Sequence, residues 1–188
     1  MKRFISLVAV AVVATLALSA CGSSNTSSSS TSSSTFNDAD VTFAQSMIPH
    51  HEQAVQMARM AKTNASSPEV KQLAAKIEAA QGPEIATMSG WLNDWGKDGK
   101  SGSGMSGMDM GSMPGMMSDV DMMKLDADSG AMFDRMFLTM MIKHHTGAIE
   151  MAKTEQSDGK NADAVALAKR IEVDQTAEIA TMKDLLKS

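Results

Sequence analysis

The strongest constraint on this chain is an internal duplication. Residues 40–92 align with 134–186 at a constant offset of 94 without a gap, and 20 of the 53 positions are identical. The matches include Asp40/Asp134, Phe43/Phe137, Met47-Ile48/Met141-Ile142, His50-His51/His144-His145, Met57-Ala58/Met151-Ala152 and the run 84–88 against 178–182. A repeat this close folds as one unit twice, and each unit must bury its apolar face against the other.

Each repeat reads as two helices. The first spans about 38–64 and 131–157, the second about 68–95 and 161–187. Ser67 is placed as an N-cap, with Pro68 at the first helical position and Glu69 behind it. Asp158-Gly159 marks the matching turn in the second repeat. Short turns make each pair an antiparallel hairpin, and two hairpins docked together give an all-α, antiparallel four-helix bundle. Aromatic residues are 4% of the chain and Tyr is absent, which argues against an all-β core. Residues 96–130 join the repeats and are expected as a long loop. Within them, Asp126-Ala127-Asp128-Ser129-Gly130 lacks the closing Glu of a calcium loop and reads as a helix N-terminus.

The first 37 residues belong to no bundle. Lys2 and Arg3 precede an apolar run over 4–18, too short to span a bilayer comfortably, followed by Leu18-Ser19-Ala20-Cys21. This resembles a bacterial lipobox. Residues 1–20 are then a signal peptide, Cys21 is lipidated, and the Ser/Thr-rich stretch 21–37 is a tether holding the domain 38–188 off the outer face of a membrane. Cys21 is the only cysteine, so an intrachain disulfide and any multi-Cys metal site are excluded. A net charge of −5 supplies no basic surplus for phosphate contacts, which argues against nucleic acid as a partner.

All four histidines lie in the duplicated pairs His50-His51 and His144-His145. On a helical wheel each pair straddles the buried stripe, with Met47 (or Met141) one turn before it and Met57 (or Met151) two turns after. A lone histidine there would simply hydrogen-bond at the core boundary. A duplicated pair flanked by duplicated methionines points to metal ligation. The second helix of each repeat carries the seam Val70, Leu73, Ile77, Gln81, Glu84, Met88, matched by Ala164, Leu167, Ile171, Gln175, Glu178, Met182. A carboxylate in a core seam is unfavourable unless paired. A hairpin turn near residue 66 sets Gln81 and Glu84 level with His50 and His51, and Met88 about one turn beyond Met47. Glu84 and Glu178, with Gln81 and Gln175 beside them, are thus placed to hold the second nitrogen of a metal-binding imidazole. Pro49 and Pro83 interrupt helices at that level, whereas the second repeat has Lys143 and Ala177, so the two histidine sites are expected to differ in shape.

From Met105 to Met123, eight of 19 residues are methionine. Thioethers are neutral, soft ligands that suit Cu(I) and discriminate against Zn(II) and Mg(II), so Met105, Met108, Met110, Met113, Met116 and Met117 are candidate ligands on a flexible loop.

The string Phe43-xxx-Met47-Ile48-Pro49-His50-His51-xx-Ala54-xx-Met57-Ala58, its copy, and Glu84-xxx-Met88-xx-Trp91 resemble domain-of-unknown-function family 305 over residues 38–188. That family includes CopM-like periplasmic copper-binding proteins. The resemblance implies a ferritin-like four-helix bundle and a role in copper binding or resistance, with ligands at Met47, His50, His51, Met141, His144 and His145. The E-x-x-H pairs of di-iron ferritin-like enzymes are missing.

These features point to a non-enzymatic extracytoplasmic lipoprotein that binds copper as Cu(I), sequestering it or passing it to a delivery or efflux partner. The competing reading is a ferritin-like metal oxidase using His with Glu84 and Glu178. A third is a helical module whose methionine loop docks a protein partner.

Overall fold

The computed structural model describes residues 35–97 and 113–187. The expected signal peptide, Cys21, most of the tether, and Met105, Met108 and Met110 lie outside them. The described residues form five α-helices and no strand: α1 (Asp38–Asn64), α2 (Pro68–Asp94), α3 (Asp119–Ala127), α4 (Gly130–Asp158) and α5 (Ala162–Leu185).

Local chemistry sets most of these boundaries. Asn37 accepts from the backbone N–H groups of Ala39 and Asp40, while Asp40 accepts from the Asn37 N–H, a reciprocal capping box on α1. Ser67 accepts from Val70 N–H ahead of Pro68 in α2. Asn161 caps α5 through Asp163 and Ala164.

Helix α3 departs from the loop expected over 96–130. The Gly/Ser/Met composition of 96–117 stops short of it: 119–127 holds Met, Leu, Lys and Ala behind a Ser118 N-cap, with Asp119 and Asp121 in the first turn. Nine residues are too few for a stable isolated helix. Burial of Met122 and Leu125 against the bundle makes it one, and that contact lies beyond any local reading of the sequence.

Helix α1 packs on α2, α4 on α5, and the two hairpins meet mainly through α1 and α4. One apolar cluster joins the second half of α1 (Ala54, Met57, Ala58, Ala61) to the first half of α4 (Phe133, Phe137, Met141). The other joins the first half of α1 (Phe43, Ala44, Met47) to the second half of α4 (Ala148, Ala152). α1 and α4 are therefore antiparallel. Alanines along both let the backbones approach, and each buried Phe, Met, Leu or Ile contributes about 1.5–3 kcal/mol.

The duplicated Asp40 and Asp134 cross-brace the hairpins. Asp40 accepts from the N–H groups of Lys160 and Asn161 in the α4–α5 turn, and Asp134 from those of Ser66 and Ser67 in the α1–α2 turn. Each repeat thus satisfies the orphan turn amides of the other, which accounts for this identity between the repeats.

Candidate metal centre

Between the two apolar clusters lies a polar layer built by the central turns of α1 and α4. His50, His51, His144 and His145 are all buried there. Antiparallel crossing brings the pairs together, and the His50 and His144 rings stand 3.8 Å apart between centroids. The sequence suggested two histidine sites, one per repeat; the fold merges them into one layer, because the pseudo-symmetric helices cross at the duplicated motif.

Hydrogen bonding fixes the tautomers. His51 Nε2 lies 2.8 Å from Glu84 Oε2, and His145 Nε2 lies 2.7 Å from Glu178 Oε2. His50 Nε2 lies 3.0 Å from the Pro114 carbonyl oxygen. Carbonyls and carboxylates accept, so each Nε2 carries a proton and donates, and in the neutral ring Nδ1 keeps its lone pair. Those three Nδ1 atoms are buried and find no partner within the chain. Both amide atoms of Gln81 and Oε1 of Gln175 share that condition, and the His144 ring has only a marginal contact with the His50 backbone. Unpartnered buried polar atoms are uncommon and unfavourable, and their concentration in one layer makes it the candidate site. Burial, then the neighbouring His51, pushes the His50 pKa down to about 3 despite its bond to Pro114. Burial, followed by the proximity of His50 and His145, lowers His144 well below the ordinary histidine value. Both present neutral, metal-competent imidazoles.

Methionine sulfur flanks the layer on both sides. Met47 and Met88 are fully buried in one apolar cluster, with Met151 partly buried against it. Met57, Met141 and Met182 are fully buried in the other. The two sets are symmetry mates, each drawing two methionines from one repeat and one from the other. Among the described residues, no three His, Cys, Asp or Glu side chains converge as a metal-holding group. A centre here draws on thioether sulfur beside imidazole, a soft donor set that fits Cu(I) and leaves a hard cation poorly served.

The symmetry is broken by a strap over residues 113–118. Gln53 grips the backbone of Met117 twice, accepting from its N–H (2.8 Å) and donating to its carbonyl (3.0 Å). On the other side a Cβ at Gly147 would collide with the Pro114 carbonyl, and Gly115, at φ +79°, lies against the carbonyls of Lys143 and His144. Gln53 and Gly147 occupy equivalent repeat positions, so one clamps the strap and the other leaves room for it. Met116 and Met117 are consequently buried, not carried on a free loop as expected, and Met113 is half-buried. Two backbone hydrogen bonds and the close approach at Gly147 hold them. Sequence reasoning missed Gln53, Pro114 and Gly147; a Gln/Gly mismatch inside an otherwise well-matched motif was the available signal.

Fold and site together define a class: a helical bundle of duplicated hairpins that encloses a His/Met layer. Within that class, the model of the family described as "Domain of unknown function (DUF305)" matches residues 40–186, and the chain belongs to that family. A presumed secreted DUF305 protein from Streptomyces coelicolor is 35% identical, with a TM-score of 0.73 covering 79% of this chain and 92% of that one. A DUF305 fragment from Deinococcus radiodurans is 28% identical, with a TM-score of 0.70 over 80% and 97%. CopM in its Cu(I)-bound form is 32% identical, with a TM-score of 0.64 over 79% and 95%; similar matches exist to its Cu(II)- and silver-bound forms. No curated protein matches the chain.

Proposed function

We propose that this protein is an exported, lipid-anchored copper carrier that binds Cu(I) through imidazole nitrogen and thioether sulfur, without catalysing a reaction. The observation that carries this reading is the buried layer of imidazoles with unpartnered nitrogens, set between symmetric groups of buried methionines. Met47, His50, His51, Met141, His144 and His145 supply the first donors, with Met57, Met88, Met151 and Met182 around them. Glu84 and Glu178 hold the His51 and His145 rings in the tautomer that leaves Nδ1 free, and Gln81 and Gln175 stand in the same layer. CopM, a relative matched over 95% of its chain, has structures in Cu(I)-, Cu(II)- and silver-bound forms. The softness of the donor set favours Cu(I) among these, and the absence of a clustered hard-donor cage among the described residues weighs against an oxidase.

Export is supported by the apolar leader, the Leu18–Cys21 lipobox and the presumed secreted relative. The lipobox assigns attachment to Cys21; among the described residues, no helix is long and apolar enough to cross a membrane. The experiment is an anaerobic Cu(I) titration of mature protein against Zn(II) and Fe(II), in parallel with His50→Ala/His51→Ala and His144→Ala/His145→Ala. Because the pairs share one layer, each double variant is expected to lose the same bound copper. Unchanged stoichiometry in both would overturn the His-layer reading, and membrane retention of Cys21→Ser would overturn the anchor.

A further inference from the structure

A second group of thioethers lies outside the His layer. Helix α3 packs beside α1, and between them opens a groove of about 510 Å³. Met60 comes from α1, Met122 and Met123 from α3, and Met116 from the strap. Glu52, Asp119 and Asp126 complete much of the wall, and no Lys or Arg lines it. Four neutral soft donors beside three carboxylates, with no cation among them, match the chemistry of a soft monovalent cation: sulfur binds the ion and the carboxylates attract it.

Packing explains part of this set. Met122 belongs to the adjoining apolar cluster and Met60 packs against it. It does not explain Met123, which is 72% exposed. The duplication supplies an internal control. The α4 positions equivalent to Pro49, Glu52, Gln53, Gln56 and Met60 are Lys143, Thr146, Gly147, Glu150 and Thr154. The same face of α4 thus lacks a thioether and gains a lysine, Lys143, whose charge acts on Asp121 of α3. The groove that α3 completes gathers four methionines, against the one, Met151, that lines the cleft with Asp38 and Glu155.

The groove also touches the His layer. Pro49, which precedes His50, lines it, and so does Gln53, which grips the Met117 backbone. Met116 meets the groove one residue before that grip. We propose that the α1–α3 groove is a separate acquisition site for a soft monovalent cation, Cu(I) or its analogue Ag(I), at the outer side of the strap. The ion's identity rests on the copper reading above; the site itself does not depend on the His layer.

The test is Ag(I) titration of the full mature chain carrying ¹³C-methyl methionine, with Zn(II) as the counter-probe. The methyl signals of Met60, Met122 and Met123 are expected to move with Ag(I) and not with Zn(II), in the native chain and equally in His50→Gln/His144→Gln. Met60→Leu/Met122→Leu/Met123→Leu keeps side-chain volume and is expected to lose about one Ag(I) equivalent while the signals of Met47 and Met141 still respond. Should that variant fail to fold, the native spectra alone decide. If the layer methionines shift and the groove methionines stay still, the groove proposal falls and the His-layer reading stands. If groove signals move and layer signals do not, the reverse holds. Silence at every methionine overturns both.

Discussion

Acidifying the metal-free protein from pH 7 to pH 5 sets buried groups against each other. His50 titrates near 3 in the fold, held down by burial and then by His51, with His145 acting in the same direction. His144 is likewise lowered by burial and its histidine neighbours. Both stay neutral in the fold while the unfolded chain takes up a proton at each near the ordinary 6.5. A group of this kind loses stability as pH falls below its unfolded pKa. By pH 5 the loss is about 2 kcal/mol for His50, and His144 adds to it with the same sign. Glu155 works in the opposite sense. It is buried in α4, and burial, then a hydrogen bond to the Asp40 carboxylate and the charges of Asp40 and Asp158, raise its pKa from 4.5 to about 8. It is protonated in the fold and ionised in the unfolded chain between those values, so it weakens the fold at pH 7. That weakening is relieved on acidification, by roughly 2–3 kcal/mol between pH 7 and pH 5.

The native chain is therefore expected to show a partly cancelled acid shift, and two variants separate the contributions. Glu155→Gln removes the carboxyl's share; it is expected to be more stable than native at pH 7 and to lose about 2 kcal/mol or more by pH 5. His50→Gln/His144→Gln removes the imidazole share and is expected to gain about 2 kcal/mol over the same interval. Urea unfolding at both pH values gives the midpoint and slope from which these differences are read. Equal acid shifts in the two variants would refute the assignment of these groups.

Four further outcomes follow from the geometry. Gly147→Ala drives a Cβ into the Pro114 carbonyl; it is expected to displace the strap, cost roughly 1–3 kcal/mol, and make the peptide bonds around Met116 susceptible to protease. Asp134→Ala leaves the Ser66 and Ser67 amides unpartnered and is expected to cost about 2–3 kcal/mol. Asp40→Ala is expected to cost less at pH 7, because it also relieves Glu155, whose counterpart beside Asp134 is Ala61; equal losses in urea would count against this. Glu84→Gln keeps the size of the side chain but removes the charge facing His51, and is expected to weaken Cu(I) binding roughly 10–100-fold in a competition titration.

The sequence determined the parts with local or periodic signatures. The duplication, the apolar spacing, Ser67-Pro68 and Asp158-Gly159 were enough to place four long helices in two hairpins, because caps and helical periodicity are encoded within a few residues of where they act. The pairing of His51 with Glu84 was also legible, since a short turn makes register across a hairpin a matter of counting. Contacts between the hairpins were decided only by the tertiary structure. Whether the two His pairs form one layer depends on α1 and α4 crossing antiparallel at the motif, and no spacing within a repeat specifies that. The low pKa values of His50 and His144 come from burial created by that crossing, where the residues alone offered an ordinary imidazole. The helical state of 119–127, the strap between Gln53 and Gly147, and the reach of Asp40 and Asp134 to each other's turns have the same origin. Each is fixed by side chains far apart in the chain, whose meeting the packed bundle alone determines.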